Sequence, residues 1–204
     1  MRTSSRPRSS SGSGKPNYVT IACAHDNPPR LSVKIVVISD THLPRFEGRV
    51  DAALRHVASE RPQLILHCGD LTTLCAVTAF ESIAPVEAVA GNNDGPEIVR
   101  RFGRRKIVEA GGLRIGLVHG DGSRGTTLGR AREAFARESV DAIAFGHSHI
   151  PYLERHGVVW VVNPGSVTDK RRQLRYSFAV LESDASGALA PRLVFFEPER
   201  QTPL

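Results

Sequence analysis

Residues 33–42 read Val-Lys-Ile-Val-Val-Ile-Ser-Asp-Thr-His, a nearly continuous β-branched run that ends at Asp40 and His42. Such a run is typical of a strand buried on both faces, as in a parallel sheet covered by helices. Amphipathic segments separate it from similar runs further along, so the first half of the chain is predicted to form a βαβαβ unit. Two further runs also end in polar residues: 64–68 before Asp70, and 86–90 before Asn92.

The segments between these runs have apolar residues at helical spacing, and Pro62 ends the first of them. The residues concerned are Val50, Leu54 and Val57 in the first segment, and Leu74, Val77 and Phe80 in the second. The later elements are a hairpin of 106–110 and 113–118, a helix with Leu128, Ala131 and Phe135 on one face, strands at 142–145 and 158–162, and a hairpin of 176–181 and 189–196.

These elements make the early half of the chain mainly parallel and the late half mainly antiparallel. The predicted fold class is α/β, and the predicted architecture is a four-layer α/β/β/α sandwich of two mixed β-sheets flanked by helices. A chain of 204 residues is long enough for one such domain, which we expect to span residues 31–204.

The first 30 residues have a different composition. Residues 2–17 contain Ser, Arg, Pro and Gly but no large apolar side chain, so we expect 1–30 to be a disordered basic tail. The net charge is +6, yet residues 1–33 carry five basic side chains against Asp26 alone. The body is therefore close to neutral, and a nucleic-acid partner is disfavoured except through the tail.

Localisation follows from the apolar runs and the cysteines. The longest apolar run, 158–162, has five residues, whereas a bilayer requires about 20, so no membrane association is expected. Three cysteines without a C-x-x-C spacing are typical of a reducing compartment. Because no secretory signal is recognisable either, we expect the protein to be cytoplasmic.

Polar side chains of metal-ligand type follow five of the predicted strands. In open α/β sheets the carboxyl ends of the strands form the crevice where ligands bind. The pairs Asp40/His42 and His147/His149 are spaced i, i+2, which places both side chains of each pair on one side of an extended segment. The candidate ligands are Asp40, His42, Asp70, Asn92, His119, His147 and His149.

The candidates number seven, which is too many for one ion of four to six ligands but suits two ions that share a bridging carboxylate. Two ions about 3.5–4 Å apart would hold a hydroxide between them and clamp a phosphoryl group. We therefore expect two divalent metal ions. Oxygen and nitrogen donors suit manganese, nickel, cobalt, iron or zinc, with manganese as the first expectation.

The ordered series of motifs resembles one known family. Asp40-x-His42, Gly69-Asp70, Gly91-Asn92-x-Asp94, His119-Gly120 and Gly146-His147-Ser148-His149 are similar to the motifs of the calcineurin-like metallophosphoesterase superfamily. The following Asn163-Pro164-Gly165-Ser166 resembles its small bacterial and archaeal phosphodiesterase branch, which is related to the retromer scaffold subunit. The likeness spans residues 33–182 and implies two mixed sheets between helices.

The resemblance also implies a role for each candidate, with Asp70 bridging the two ions. It assigns one metal to Asp40, His42, Asp70 and His149, and the other to Asp70, Asn92, His119 and His147. Where the larger superfamily has a histidine that contacts the leaving group, this chain has Asn93, which cannot donate an acidic proton. Arg171 occupies the position of a phosphate-facing arginine, and Asp94 and Asp121 would orient ligand histidines.

The expected function is that of a dinuclear-metal-dependent phosphoesterase. We favour a phosphodiesterase in which a metal-bridging hydroxide attacks phosphorus in line, acting on a small-molecule or nucleotide phosphodiester. Two alternatives stay open: a phosphomonoesterase, and a metal-binding interaction scaffold without turnover. The resemblance implies that the eukaryotic scaffold lacks the histidine that stands here at His147. It also implies a homodimer or homotetramer.

Overall fold

The computed structural model describes residues 32–184 and 186–197, so the predicted basic tail lies outside the described residues. The strands are β1 Val33–Ile38, β2 Leu64–His67, β3 Val86–Ala88, β4 Arg105–Ala110, β5 Leu113–Val118, β6 Ala142–Ala144, β7 Tyr152–His156, β8 Val159–Asn163, β9 Tyr176–Ser183 and β10 Leu189–Phe196. The α-helices are α1 Val50–Ser59, α2 Leu74–Glu81, α3 Pro96–Phe102 and α4 Thr127–Ala134.

The strands form two mixed five-stranded sheets, which confirms the predicted fold class. The first sheet has the order β10-β9-β1-β2-β3, and the second has the order β4-β5-β6-β8-β7. Strands β1, β2 and β3 are parallel, with Ile35 paired to Leu64 and Ile65 to Val86. The C-terminal hairpin of β9 and β10 joins this first sheet antiparallel to β1, in the register Ile35 to Leu181.

The second sheet combines parallel and antiparallel strands. Strands β5, β6 and β8 are parallel neighbours, and only the flanking β4 and β7 run antiparallel to them. Antiparallel pairs still predominate in the late half of the chain, as predicted, because β4 with β5, β7 with β8 and β9 with β10 are all antiparallel. The structure also adds α3 and β7, which the sequence analysis did not predict.

The core lies between the two sheets, and helices cover their outer faces. Ile35 and Leu66 of the first sheet pack with Ile115 and Leu117 of the second, and all four side chains are fully buried. Fully burying one such side chain contributes about 1.5–3 kcal/mol. Helices α1 and α2 cover the outer face of the first sheet, and α4 covers that of the second. The layer order is therefore α/β/β/α, as predicted.

Helix boundaries follow local sequence signals. Helix α1 buries one stripe of side chains that includes Ala53 and Val57 against the first sheet. Helix α4 is capped by the Thr126 side chain, which accepts from the backbone N–H of Gly129 at 3.0 Å. No described helix has the length and apolar character that crossing a bilayer requires.

Candidate metal centre

The parallel strands of both sheets bring the predicted ligands to one edge of the sandwich. Each ligand follows the carboxyl end of a parallel strand, where the chain leaves the sheet. The first sheet supplies Asp40 and His42 after β1, Asp70 after β2, and Asn92 after β3. The second sheet supplies His119 after β5, and His147 and His149 after β6.

Five of the seven ligand candidates have a left-handed backbone. The φ angles are 56° for Asp40, 46° for His42, 57° for Asp70, 68° for His147 and 58° for His149. This region is sparsely populated by residues other than glycine, and each occurrence costs on the order of 1–3 kcal/mol unless the surroundings impose it. Strained backbone conformations cluster at functional sites, because they orient side chains in directions that a regular strand does not allow.

Asp40, His42 and His149 form the first cluster of metal-ligand atoms. His149 Nε2 lies 3.2 Å from Asp40 Oδ1 and 3.3 Å from His42 Nε2. His42 Nε2 lies 3.9 Å from Asp40 Oδ1. Asp40 and His149 are buried, whereas His42 is partly exposed toward the cleft, so the cluster has one solvent-facing side.

The second cluster contains Asp40, Asp70 and His119, and Asn92 and His147 continue it toward solvent. His119 Nε2 lies 3.3 Å from Asp70 Oδ2 and 3.2 Å from Asn92 Oδ1. Asn92 Oδ1 in turn lies 2.9 Å from His147 Nδ1. Asp70 joins the two clusters, because its Oδ2 also lies 3.7 Å from His42 Nε2. All seven predicted ligands are therefore in one continuous group.

The protons on the buried histidines indicate what these clusters can hold. His119 Nδ1 lies 2.7 Å from the carbonyl oxygen of Cys68, and His149 Nδ1 lies 2.5 Å from that of Asp169. A carbonyl can only accept, so each Nδ1 carries a proton, and Nε2 is the ring atom that each histidine directs into the cluster. In the neutral ring the Nε2 lone pair faces carboxylate oxygens, which are also acceptors, so a proton or a metal ion is needed between them.

The site therefore contains several hydrogen-bond acceptors that have no donor opposite them. Asp40 is fully buried, yet its Oδ1 has no hydrogen-bond partner among the described residues. A buried unsatisfied carboxylate oxygen is costly unless a cation neutralises it. Oxygen and imidazole donors with an unused lone pair are the ligand set of divalent transition metals. The residues present thus fit metal ions.

The pKa values of Asp70 and His119 also show that the site favours positive charge beside its carboxylates. Burial works against ionisation of Asp70, but hydrogen bonds from His119 and Asn93 hold the pKa of its carboxyl below the ordinary value. Burial disfavours protonation of His119, but its hydrogen bond to Asp70 and the charge of Asp40 raise its pKa to about 9. Without a metal, protons on histidine supply the charge that the carboxylates need.

A protein-family comparison identifies what this geometry belongs to. Residues 33–186 match the family model of the calcineurin-like phosphoesterase superfamily domain, which covers most of the chain and all seven candidate ligands. The chain belongs to the calcineurin-like phosphoesterase superfamily. Its match begins with β1 and ends at the turn that follows β9.

The relatives of this chain include two archaeal proteins. A probable metallophosphoesterase of Methanothermobacter thermautotrophicus is 37% identical over 142 residues, which are 67% of this chain and 78% of that protein. A protein of Methanocaldococcus jannaschii named as a phosphodiesterase is 29% identical over 147 residues, 65% of this chain and 83% of that one.

Solved structures share the fold. An archaeal phosphodiesterase superposes with a TM-score of 0.62 at 23% identity, covering 79% of this chain and 99% of that one. A variant of Vps29 from Entamoeba histolytica superposes with a TM-score of 0.61, also at 23% identity, covering 80% and 99% of the two chains. The two sheets described above are thus the fold of this branch of the superfamily.

Asn93 contacts the site at the position where the larger superfamily has a histidine. Its backbone N–H donates to Asp70 Oδ1 at 2.8 Å, and its side-chain amide donates to Asp70 Oδ2 at 2.7 Å. Arg171, the expected phosphate contact, is exposed and has a left-handed φ of 46°. Its backbone N–H donates to Asp169 Oδ1 at 3.3 Å, which places its side chain at the cleft beside His42.

Asp94 has a different role from the expected one. Its carboxylate accepts from the backbone N–H groups of Asp70 at 2.9 Å, Thr72 at 2.6 Å and Gly91 at 2.7 Å. Within the described part of the chain, no hydrogen bond joins it to a ligand histidine ring. Asp94 therefore holds the backbones that carry the ligands. Burial lowers the pKa of His147, and the charge of Asp121, the other residue expected to orient a histidine, partly opposes this.

Position 91, in the loop after β3, requires glycine because the backbone there lies close to the His119 ring. A Cβ on Gly91 would lie 2.8 Å from His119 Cδ2, inside van der Waals contact. The loop after β3 can therefore lie against the imidazole of His119 only without a side chain at this position.

Several supporting contacts were not predicted from the sequence. The carbonyl oxygens of Cys68 and Asp169 orient the two buried histidines described above. Ser166, the last residue of the Asn-Pro-Gly-Ser motif, donates through its hydroxyl to the carbonyl of Asp40 at 2.8 Å. His67 is fully buried, with its Nε2 3.1 Å from Thr41 Oγ1. His67 therefore links the first ligand loop to β2.

Proposed function

We propose that this protein is a phosphodiesterase that uses two divalent metal ions. The observation that carries the proposal is the position of Asp70 Oδ2, 3.7 Å from His42 Nε2 and 3.3 Å from His119 Nε2. One carboxylate oxygen between two sets of imidazoles is the arrangement that a bridging ligand requires. One ion would be held by Asp40, His42, Asp70 and His149, and the other by Asp70, Asn92, His119 and His147.

Manganese is the first candidate for both ions, followed by nickel, cobalt, iron and zinc, because the donors are oxygen and nitrogen without thiolate. Divalent ions there would lower the pKa of a water to make it a nucleophile and would neutralise charge on the phosphoryl group. The buried histidines are already oriented for this, since Cys68 and Asp169 fix their tautomers.

The side chains of the cleft would bind the phosphate. An amide nitrogen has two N–H groups, and Asn93 uses one on Asp70, so the second is available to a phosphate oxygen. Arg171 adds a guanidinium, which Asp169 partly neutralises from 3.8 Å. Of these two candidate phosphate contacts, Asn93 is neutral and Arg171 is partly neutralised, which suits the single negative charge of a diester better than the double charge of a monoester. The relative in Methanocaldococcus jannaschii, named a phosphodiesterase, supports the same choice.

The test is a paired hydrolysis assay. Chelator-treated protein is supplied with Mn²⁺, Ni²⁺, Co²⁺, Zn²⁺ or Mg²⁺, and its turnover of bis-p-nitrophenyl phosphate is compared with that of p-nitrophenyl phosphate. We expect metal-dependent turnover that favours the diester. Asp70→Asn should lower turnover by more than the about 10–100-fold that loss of a metal-orienting partner costs. Asp51→Asn, an exposed change on α1 outside the site, is the matched control.

The outcomes separate the alternatives. A preference for the monoester would make the protein a phosphomonoesterase. Two bound ions for each chain, with no turnover of either ester by any metal form, would make it a metal-binding scaffold. Equal turnover by Asp70→Asn and the wild type would contradict the bridging role of Asp70.

A further inference from the structure

A cleft of about 790 Å³ opens beside the metal centre, and its lining points to a class of substrate. Its volume is within the range of pockets that enclose small organic ligands and cofactors. The metal ligand His42 and the phosphate-binding candidates Asn93 and Arg171 form one side of it. The remaining lining residues are Leu43, Pro44, Arg45, Phe46, Thr72, Thr73 and Asp169.

Phe46 is the only aromatic carbocycle among the residues that line this cleft. Its half-buried ring contacts the His42 ring edge-on, with centroids 6.5 Å apart and an interplanar angle of 81°. It belongs to none of the four apolar clusters that make up the described core. Core packing therefore does not account for a large apolar side chain at this position.

Two arginines accompany the Phe46 ring. The guanidinium of Arg49 lies 4.7 Å from the ring centroid and donates to the carbonyl of Thr168 at 2.8 Å, so it is anchored. The guanidinium of Arg45 lies 5.2 Å from the centroid, is exposed, and makes no ion pair with any described residue. The Phe46 ring is thus flanked by one anchored guanidinium and by one exposed guanidinium that forms no ion pair with the described residues.

We propose that Phe46 and Arg45 select phosphodiesters that carry a planar heteroaromatic ring on one ester arm, as a nucleotide does. Bases stack on aromatic side chains and on guanidinium planes, and the stacking tolerates different bases. Thr72 also lines the cleft, and its hydroxyl, which donates to the carbonyls of Leu43 and Leu71, can accept a hydrogen bond from a sugar hydroxyl. An aliphatic ester arm has no ring to stack on Phe46 or Arg45. The inference rests on the proposed phosphodiesterase function for its hydrolytic step.

The experiment compares two substrates with the same strained phosphate ring. Adenosine 2′,3′-cyclic phosphate and glycerol 1,2-cyclic phosphate differ in the presence of a base, and phosphorus NMR follows both. Phe46→Leu should lower the preference in kcat/KM for the nucleoside substrate about tenfold, mainly through KM, because stacking acts in binding. Phe46→Trp should restore the preference. Phe102→Leu is the matched control, since its half-buried ring also lies under two cations but outside the cleft.

A binding measurement makes the test independent of turnover. Calorimetry should show that Phe46→Leu weakens binding of adenosine monophosphate about tenfold and leaves that of glycerol phosphate less affected. An equal fall in kcat/KM for both cyclic substrates, with equal binding changes, would show that Phe46 only supports His42 and would overturn the inference. Weaker nucleotide binding by Phe46→Leu without hydrolysis of any substrate by the wild type would support the inference and refute the proposed hydrolysis.

Discussion

Asn93 donates to both carboxylate oxygens of Asp70, through its backbone N–H to Oδ1 at 2.8 Å and through its side-chain amide to Oδ2 at 2.7 Å. These two bonds orient the carboxylate that lies between the two clusters of imidazoles. They also place a neutral amide where an acid could protonate a leaving group. An amide cannot do so, so the leaving group has to depart with its negative charge or take a proton from water.

Asn93→His should therefore relax the dependence of turnover on the leaving group. General acid catalysis contributes about 10²–10⁴-fold where it operates, and it matters most for poor leaving groups. We expect wild-type turnover to fall steeply along a series of aryl phosphodiesters as the leaving-group pKa rises. The histidine variant should gain roughly tenfold or more on the poorest leaving group. Asn93→Ala is the control. If both variants lose turnover equally across the series, a histidine at this position does not protonate the leaving group.

Asp94→Ala should destabilise the metal-free protein through backbone groups. Its carboxylate accepts from three backbone N–H groups, and each buried donor left unpaired costs about 1–3 kcal/mol. We expect a loss of about 2–4 kcal/mol in the free energy of unfolding, measured by urea denaturation in chelator. Asp184→Ala is the matched control, because Asp184 also holds a turn by accepting N–H groups but is exposed. A loss no greater than that of the control would refute this role of Asp94.

Much of the candidate site follows from the sequence, because ligand side chains at strand ends are visible as polar residues after apolar runs. The left-handed backbones of Asp40 and His42 are not visible, since tertiary contacts impose them. The Asp40 N–H donates to the carbonyl of Gly69, and the His42 N–H to that of Asp70, both at 3.0 Å. The carbonyls that orient His119 and His149 are equally hidden, because every residue type has one.

The two elements that the sequence analysis did not predict have little apolar pattern. Helix α3 has seven residues and one buried side chain, Ile98, so its periodicity cannot be read. Strand β7 is an edge strand with no buried side chain, and its sequence Tyr-Leu-Glu-Arg-His shows no inward-facing apolar set. Strand direction in the second sheet depends on which strands pair, and no local signal specifies that.

His67 should make the stability of the metal-free protein depend on pH. Burial lowers the pKa of His67 to about 3, from an ordinary value of 6.5 in the unfolded chain. The ring is neutral in the fold, where Nδ1 accepts from the Gly69 N–H and Nε2 faces Thr41 Oγ1. Below pH 6.5 only the unfolded chain takes up this proton, so stability is complete above that pH and is lost as the pH falls toward 3.

The loss that His67 causes can be isolated by comparison with His67→Gln. A shift of one pKa unit corresponds to about 1.4 kcal/mol, so the wild type should lose about 2 kcal/mol more than the variant between pH 7 and pH 5. Urea denaturation in chelator at the two pH values measures this. If both proteins lose stability to the same extent, the buried ring does not resist protonation as described.

His147→Ala should separate metal binding from folding. The ring is partly exposed and contacts Asn92 at the solvent side of the second cluster, so its loss should change the stability of the chelated protein by only about 0.5 kcal/mol. The variant should bind one ion instead of two, measured as metal content after gel filtration. It should also lose diester hydrolysis. His156→Ala, a partly exposed histidine on β7 outside the site, should keep both. Two ions and full turnover in His147→Ala would remove that histidine from the ligand set.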